Sequence, residues 1–128
     1  MSFYKGRRVL VTGGASFIAS HLVDALVAEG AQVRAVDDLS SGKIENIAQH
    51  IEQGRIAFVQ GNLLDSHVAE AAVADQDLVF HLACRHGGRG YVDRYQAACA
   101  TNFGLDGIVI QAAYRAGAKL VFMSSACV

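Results

Sequence analysis

Net charge is almost absent from this chain. Its 11 Lys and Arg against 12 Asp and Glu leave a formal charge of −1, which gives no electrostatic reason to expect a nucleic-acid or membrane-surface partner. Cysteine is also scarce. Cys84, Cys99 and Cys127 make an odd set with no C-x-x-C pair and no ligand-type histidine spacing, so neither a disulfide framework nor a metal site is expected. Reduced thiols fit a cytoplasmic location. The opening M-S-F-Y-K-G-R-R has no apolar core of the signal-peptide kind, and no apolar run reaches the ~18 residues of a membrane span. Repeats, low-complexity tracts and linkers are missing. What remains is 128 residues, 52% hydrophobic and 18% charged, the composition of one folded domain.

Within it, strand-like runs at 7–13, 31–37, 55–60, 77–83 and 119–124 alternate with helix-period segments at 16–29, 43–53, 65–74 and 91–116. Gly30 stops the first helix, and Gly104 and Gly107 are expected to bend or split the last. Such alternation specifies a three-layer α/β domain, a parallel sheet with helices on both faces and right-handed crossovers. Doubly wound, it takes the strand order 3-2-1-4-5.

Residues 7–20, R-R-V-L-V-T-G-G-A-S-F-I-A-S, carry the most information. The run from Val9 to Gly13 reads as a strand buried on both faces. Gly13 and Gly14 supply a tight turn and close backbone approach, and the helix that follows presents free N–H groups to an anion. A nucleotide phosphate suits that end. The second strand closes on Val36-Asp37-Asp38, roughly twenty-four residues after Gly13, where acidic side chains accept ribose hydroxyls and repel a 2′-phosphate, favouring NAD over NADP. The plain alternative is that Asp37 and Asp38 only turn the chain before Ser40-Ser41-Gly42.

Five segments in order then resemble the extended short-chain dehydrogenase/reductases, the sugar-nucleotide epimerases and dehydratases with a Rossmann-type fold. They are T-G-G-A-S-F-I-A-S-H (12–21), V-D-D-L-S-S-G (36–42), F-V-Q-G-N-L-L-D (58–65), D-L-V-F-H-L-A (77–83) and L-V-F-M-S-S-A-C-V (120–128). The resemblance implies NAD as cofactor, with Gly13, Ser16, Phe17 and Ile18 at the pyrophosphate and Asp37 and Asp38 at the ribose. It places Asn62 and Leu63 around the adenine, Leu82 and Ala83 beside the cofactor, and Asn102 where the active-site backbone is ordered. Within the family, F-I-A-S-H (17–21), H-L-A-C-R-H-G-G-R-G-Y-V (81–92) and S-S-A-C-V (124–128) are similar to the GDP-mannose 3,5-epimerases. That likeness implies Ser125 and Cys127 as catalytic residues, the serine bonding the reacting hydroxyl and the cysteine acting as acid or base at the sugar carbons. Gly87, Gly88, Arg89, Ser124 and Ser125 would meet a nucleotide-sugar substrate.

Departures are informative. Ser16 and Ala19 stand where the family has glycine, and Asn62 stands for an acidic residue. A serine at a position needing positive φ would crowd the pyrophosphate; otherwise its hydroxyl is free to bond phosphate or cap the helix. The family's Tyr-x-x-x-Lys pair does not occur before Val128, and neither Tyr91 nor Tyr95 has lysine four residues on. The expectation is therefore a cofactor half whose substrate region lies elsewhere in a parent enzyme, with apolar surface exposed on its edge strand and helix faces and a homodimer of the parent. A 4,6-dehydratase, a 4-epimerase and a non-catalytic NAD module are the alternatives. Plainer roles compete at single residues: Cys127 as a small buried residue, Ser125 as a strand-end hydroxyl, Asn102 as a helix cap, His81 as a satisfied core histidine. His86 and Arg89 read equally as substrate contacts or solvated groups, and His21, His50 and His67 as solvent-facing.

Overall fold

Val9, Leu10 and Val11 are completely buried, and strand β1 (Arg8–Thr12) accordingly lies at the centre of the sheet. The structure, a computed structural model, describes residues 2–124. Strands β2 (Gln32–Asp37), β3 (Ile56–Gln60), β4 (Leu78–His81) and β5 (Lys119–Phe122) join β1 in the order β3-β2-β1-β4-β5. Every pairing is parallel, with Thr12 opposite Val36 on one side and His81 on the other. The five strands fall inside the expected segments, and the order is the expected one.

Alternate side chains of β1 enter different cores, as a pleated strand requires. Val9 and Val11 pack with Ala19, Val23 and Leu26 of α1 (Phe17–Ala28) and with Ile47. Leu10 packs on the opposite face with Ala69, Ala72 and Val73 of α3 (Ser66–Val73) and Val109, Ala112 and Ala113 of α5 (Gln96–Arg115). The result is the expected doubly wound, Rossmann-type sandwich. Arg34 of β2 ties the layers together, its Nη1 donating to the carbonyls of Ala72 at 2.8 Å and Ala74 at 3.0 Å at the end of α3. Those carbonyls have no intrahelical donor, so a half-buried strand arginine serves as a helix C-cap.

Three expectations fail. Segment 43–53 is a 3₁₀ turn, Ile44–Asn46, followed by the five-residue α2 (Ala48–Glu52), broken at Ile47 (φ −125°, ψ 3°). Ile47 is fully buried, and driving its side chain into the core takes its backbone out of the helical region. Segment 91–116 divides at Tyr95 (φ −125°, ψ 45°) into α4 (Arg89–Arg94) and α5, and not at the glycines. Gly104 and Gly107 stay helical because each costs only about 1 kcal/mol relative to alanine, while α5 buries Val109, Ala112 and Ala113. His50 does not face solvent: α2 lies beside α1, leaving the His50 side chain 12% exposed with Nε2 2.6 Å from Asp24.

Apolar side chains are exposed on β5 (Val121, Phe122) and on α5 (Phe103, Ile110, Tyr114). Among the described residues, no helix is long and apolar enough to cross a membrane.

Candidate functional site

A cleft of about 660 Å³, including its open mouth, lies where β1, β2 and β4 end. Carboxyl ends of parallel strands, at the point where the winding reverses, are where doubly wound sheets bind ligands. Its floor is the turn from β1 into α1. Gly13 adopts φ +67°, and a Cβ there would stand 3.0 Å from the Ala83 Cα and 3.1 Å from its N. Glycine is required on both counts.

That turn is held from all sides. The Gly13 and Gly14 amides donate to the Val36 carbonyl at 2.8 and 3.2 Å. The Ala15 amide donates to Asp37 Oδ2 at 3.0 Å. The Ala15 carbonyl accepts from the Lys43 amide at 3.0 Å and from Asn46 Nδ2 at 2.8 Å. Ser16 is the N-cap of α1 at φ −75°, ψ 166°, so this position makes no demand for glycine and the serine is unstrained. Its hydroxyl caps no amide of α1 and lines the cleft. The first amides of α1, at Phe17 and Ile18, have no carbonyl one turn back, which leaves them available to an anion. The Phe17 and Ile18 side chains themselves are exposed and stand outside the cleft lining.

The two aspartates divide their work. Asp37, 7% exposed, accepts the Ala15 amide on one oxygen and the Leu39 amide on the other at 2.8 Å. It latches the glycine turn to the end of β2, where Leu39 takes φ +60°. A Cβ on Gly42 would come within 2.8 Å of both carboxylate oxygens, so the next loop is packed against them too. Asp38 is exposed and accepts the Ser40 amide at 2.9 Å and its hydroxyl at 2.6 Å. Partial burial raises the Asp38 carboxyl, but the two Ser40 bonds and the charge of Arg85 outweigh it and hold the group below its ordinary value. Both aspartates line the cleft, and each carboxylate keeps accepting positions for further donors.

On the far wall, Asn62 Oδ1 accepts the Leu64 amide at 3.0 Å, which fixes the orientation of the side-chain amide. Asn62 lines the cleft with its NH₂ and the second lone pair of Oδ1 still open to a ligand. Leu63, Leu82 and Ala83 complete the apolar lining. Asn102 clamps the backbone of Arg85, accepting its amide at 2.7 Å and donating to its carbonyl at 2.9 Å. It shapes the rim without lining the cleft. Beside it, the Cys84 sulfur lies 3.7 Å from His86 Nδ1. Burial pushes the Cys84 thiol up, and the Asp106 carboxylate adds to the effect.

An anion-binding helix end, a carboxylate pair one strand away and an apolar wall opposite fit an adenine dinucleotide. The model of the NAD dependent epimerase/dehydratase family matches residues 9–128. The chain belongs to the NAD-dependent epimerase/dehydratase family. A UDP-N-acetyl-alpha-D-glucosaminuronate decarboxylase of Bacillus cytotoxicus is 35% identical over 120 residues, covering 93% of this chain and 36% of that protein. An epimerase from Methanothermobacter thermautotrophicus superposes with TM-score 0.86 at 35% identity, over 97% of this chain and 37% of its own. A UDP-glucose 4-epimerase from Brucella ovis, solved with NAD, gives 0.83 at 26% identity, over 94% of this chain and 36% of that one. The chain thus spans little more than a third of the length of each of these three proteins. NAD is the cofactor of the family.

Of the cofactor residues expected of this epimerase/dehydratase domain, Gly13, Ser16, Asp37, Asp38, Asn62, Leu63, Leu82 and Ala83 come together in one cleft. The substrate-side glycines do not join them. Gly87 and Gly88 are exposed, and a Cβ on Gly87 would meet the Tyr91 ring at 2.5 Å, so close approach there is to a tyrosine of the same chain. Arg89 opens α4 and Ser124 follows β5; both are exposed. Ser125 and Cys127 lie outside the described residues. Ser40, Ser41, Arg85 and Thr101 line the cleft without having been anticipated. The sequence marks Ser40 and Ser41 only as part of the 36–42 segment and its turn, with no role of their own, and no spacing marks Arg85 or Thr101.

Proposed function

We propose that this chain is the cofactor-binding part of a cytoplasmic enzyme that epimerises a nucleotide sugar through a transiently oxidised sugar. The observation that carries it is the cleft, where a fully braced glycine turn, the free amide end of α1 and the Asp37–Asp38 pair converge. Bound NAD would supply a reversible acceptor for hydride from a sugar carbon. The Phe17 and Ile18 amides and the Ser16 hydroxyl hold the pyrophosphate, Asp37 and Asp38 accept the ribose hydroxyls, and the Asn62 NH₂ donates to an adenine nitrogen. Leu82 and Ala83 keep water from the inner end of the cleft.

The GDP-mannose 3,5-epimerase reading is the sharper one. It rests on the resemblance of Gly87-Gly88-Arg89-Gly90 and of Ser124 to Val128. Ser125 bonds the reacting hydroxyl, and Cys127 moves a proton at a carbon made acidic by the neighbouring carbonyl. Isothermal titration with NAD⁺ and NADP⁺ tests the cofactor reading: the expected result is NAD⁺ bound at least tenfold tighter. The complete protein, supplied with GDP-mannose in D₂O, is expected to place deuterium at C3 and C5. Interconversion of UDP-glucose and UDP-galactose without deuterium uptake identifies a 4-epimerase instead, and NAD⁺ binding without turnover of any nucleotide sugar identifies a non-catalytic module. The exposed Phe103, Ile110 and Tyr114 recur along one side of α5 and suit the pairing of two copies of the complete enzyme.

A further inference from the structure

Behind the cleft, the end of β1 is joined to the end of β4 by a buried polar network that the cofactor reading does not use. Thr12 is 0% exposed and His81 2%. The Thr12 hydroxyl oxygen lies 3.0 Å from the Leu82 amide, 3.0 Å from the Ala83 amide and 2.7 Å from His81 Nδ1. An amide can only donate, and a hydroxyl accepts two hydrogen bonds and donates one. Both accepting positions are therefore filled, and the Thr12 proton must point at Nδ1. That nitrogen carries no proton, so the ring is neutral with its proton on Nε2, which lies 3.0 Å from Asp106 Oδ1 on α5. Three distances thus settle a tautomer that no single one does.

We propose that Thr12, His81 and Asp106 form a positioning relay that sets the Leu82–Ala83 wall of the cofactor cleft, and that His81 must stay neutral for full nucleotide affinity. This rests on the cofactor reading of the cleft. A second proton on the ring would have to sit on Nδ1, facing an oxygen with no accepting position left. One of the two amides would then have to leave Thr12. Both belong to cleft-lining residues, and Ala83 is the one whose backbone Gly13 approaches most closely. Displacement of either shifts the wall against the glycine turn.

The groups around the ring are few among the described residues. Asp106 faces it from α5 and is 27% exposed in its side chain. β1 contributes the Thr12 hydroxyl and β5 the Phe122 ring, 6.0 Å away between centroids. Cys84, past the end of β4, senses the same Asp106 carboxylate. Burial lowers the His81 pKa and the bond to Asp106 raises it; burial prevails, and the ring titrates below its ordinary value.

The relay is tested on the chain by NMR of the His81 ring nitrogens together with the Leu82 and Ala83 amide resonances from pH 8 to pH 5. The expected result is the Nε2–H tautomer at pH 7.5, and amide shifts that move with the His81 midpoint. An Nδ1–H tautomer, or amides indifferent to that midpoint, overturns the relay without touching the cofactor reading. NAD⁺ titration calorimetry over the same range is expected to show affinity roughly fivefold weaker once His81 is protonated, the loss of about one hydrogen bond. Asp106→Asn keeps an acceptor but removes the charge, so both midpoints should fall together. A His81 midpoint that falls while the NAD⁺ midpoint stays fixed overturns the coupling. No NAD⁺ binding at any pH sinks the cofactor reading and the coupling with it, while the tautomer still decides the relay.

Discussion

Replacement of Gly13 by alanine separates a site built by backbone from one built by side chains. At φ +67° an alanine sits in the left-handed region, at a cost of about 1–2 kcal/mol. Its Cβ would also stand 3.0 and 3.1 Å from backbone atoms of Ala83, and such overpacking typically costs about 1–3 kcal/mol. Those atoms cannot swing aside as a flexible side chain would, because the Ala83 amide is bonded to Thr12. The combined loss is about 3 kcal/mol. With an unfolding entropy of ~2.1 cal/mol/K per residue, a chain of 128 residues converts this to a fall of roughly 11 °C in Tm. NAD⁺ affinity should drop at least tenfold, since the same contact sets the cleft floor. Gly107→Ala is the control: nothing lies within 4 Å of a Cβ there, and the residue is exposed in the interior of α5. It should raise stability by about 0.5–1 kcal/mol and leave NAD⁺ binding alone. Thermal unfolding followed by circular dichroism, with calorimetric titration, measures both. A Gly13→Ala chain with Tm within about 2 °C of the parent and undiminished NAD⁺ affinity would refute the reasoning.

Asp37→Asn places an NH₂ against one of two amide donors, so urea denaturation should show a loss of about 1–3 kcal/mol. Asp38→Asn preserves an acceptor for Ser40, and should stay within about 1 kcal/mol of the parent. Arg34→Ala strips the cap from the end of α3, and the same assay should register about 1–2 kcal/mol. The Cys84 thiol is held up partly by the Asp106 carboxylate, so Asp106→Asn should speed its alkylation by iodoacetamide at pH 8, read by peptide mass spectrometry. Stability should also decline as pH falls below about 6.5, because an unfolded chain protonates His81 where the folded one, with its lowered pKa, does not. Asp38, held below its ordinary carboxyl value, adds a second loss only at more acid pH, as its folded pKa is crossed.

The five strands and their order were legible because both halves of the signal are local. Runs such as Val9 to Val11 are apolar on both faces, and glycine or acidic residues follow at the points where the chain must turn. The glycine turn, the aspartate pair and the Asn62–Leu63 segment were legible for the same reason. Breaks in the helices were not, since Ile47 leaves helical geometry to reach a core assembled from elements distant in sequence, and Gly104 and Gly107 survive because α5 is held by its neighbours.

The strands and their order, the alternation of strand with helical segment, the nucleotide-binding turn and family membership follow from the sequence by itself, because periodicity and turn chemistry act within a few residues. Tertiary structure alone decided which aspartate latches the loop and which faces out, why Ser16 is unstrained, and that Gly87 yields to Tyr91. It alone brought Thr12, His81 and Asp106 together across separations of 69 and 25 residues. Hydrogen-bond partnership in a buried network is a property of three-dimensional distance, and no pattern along the chain encodes it.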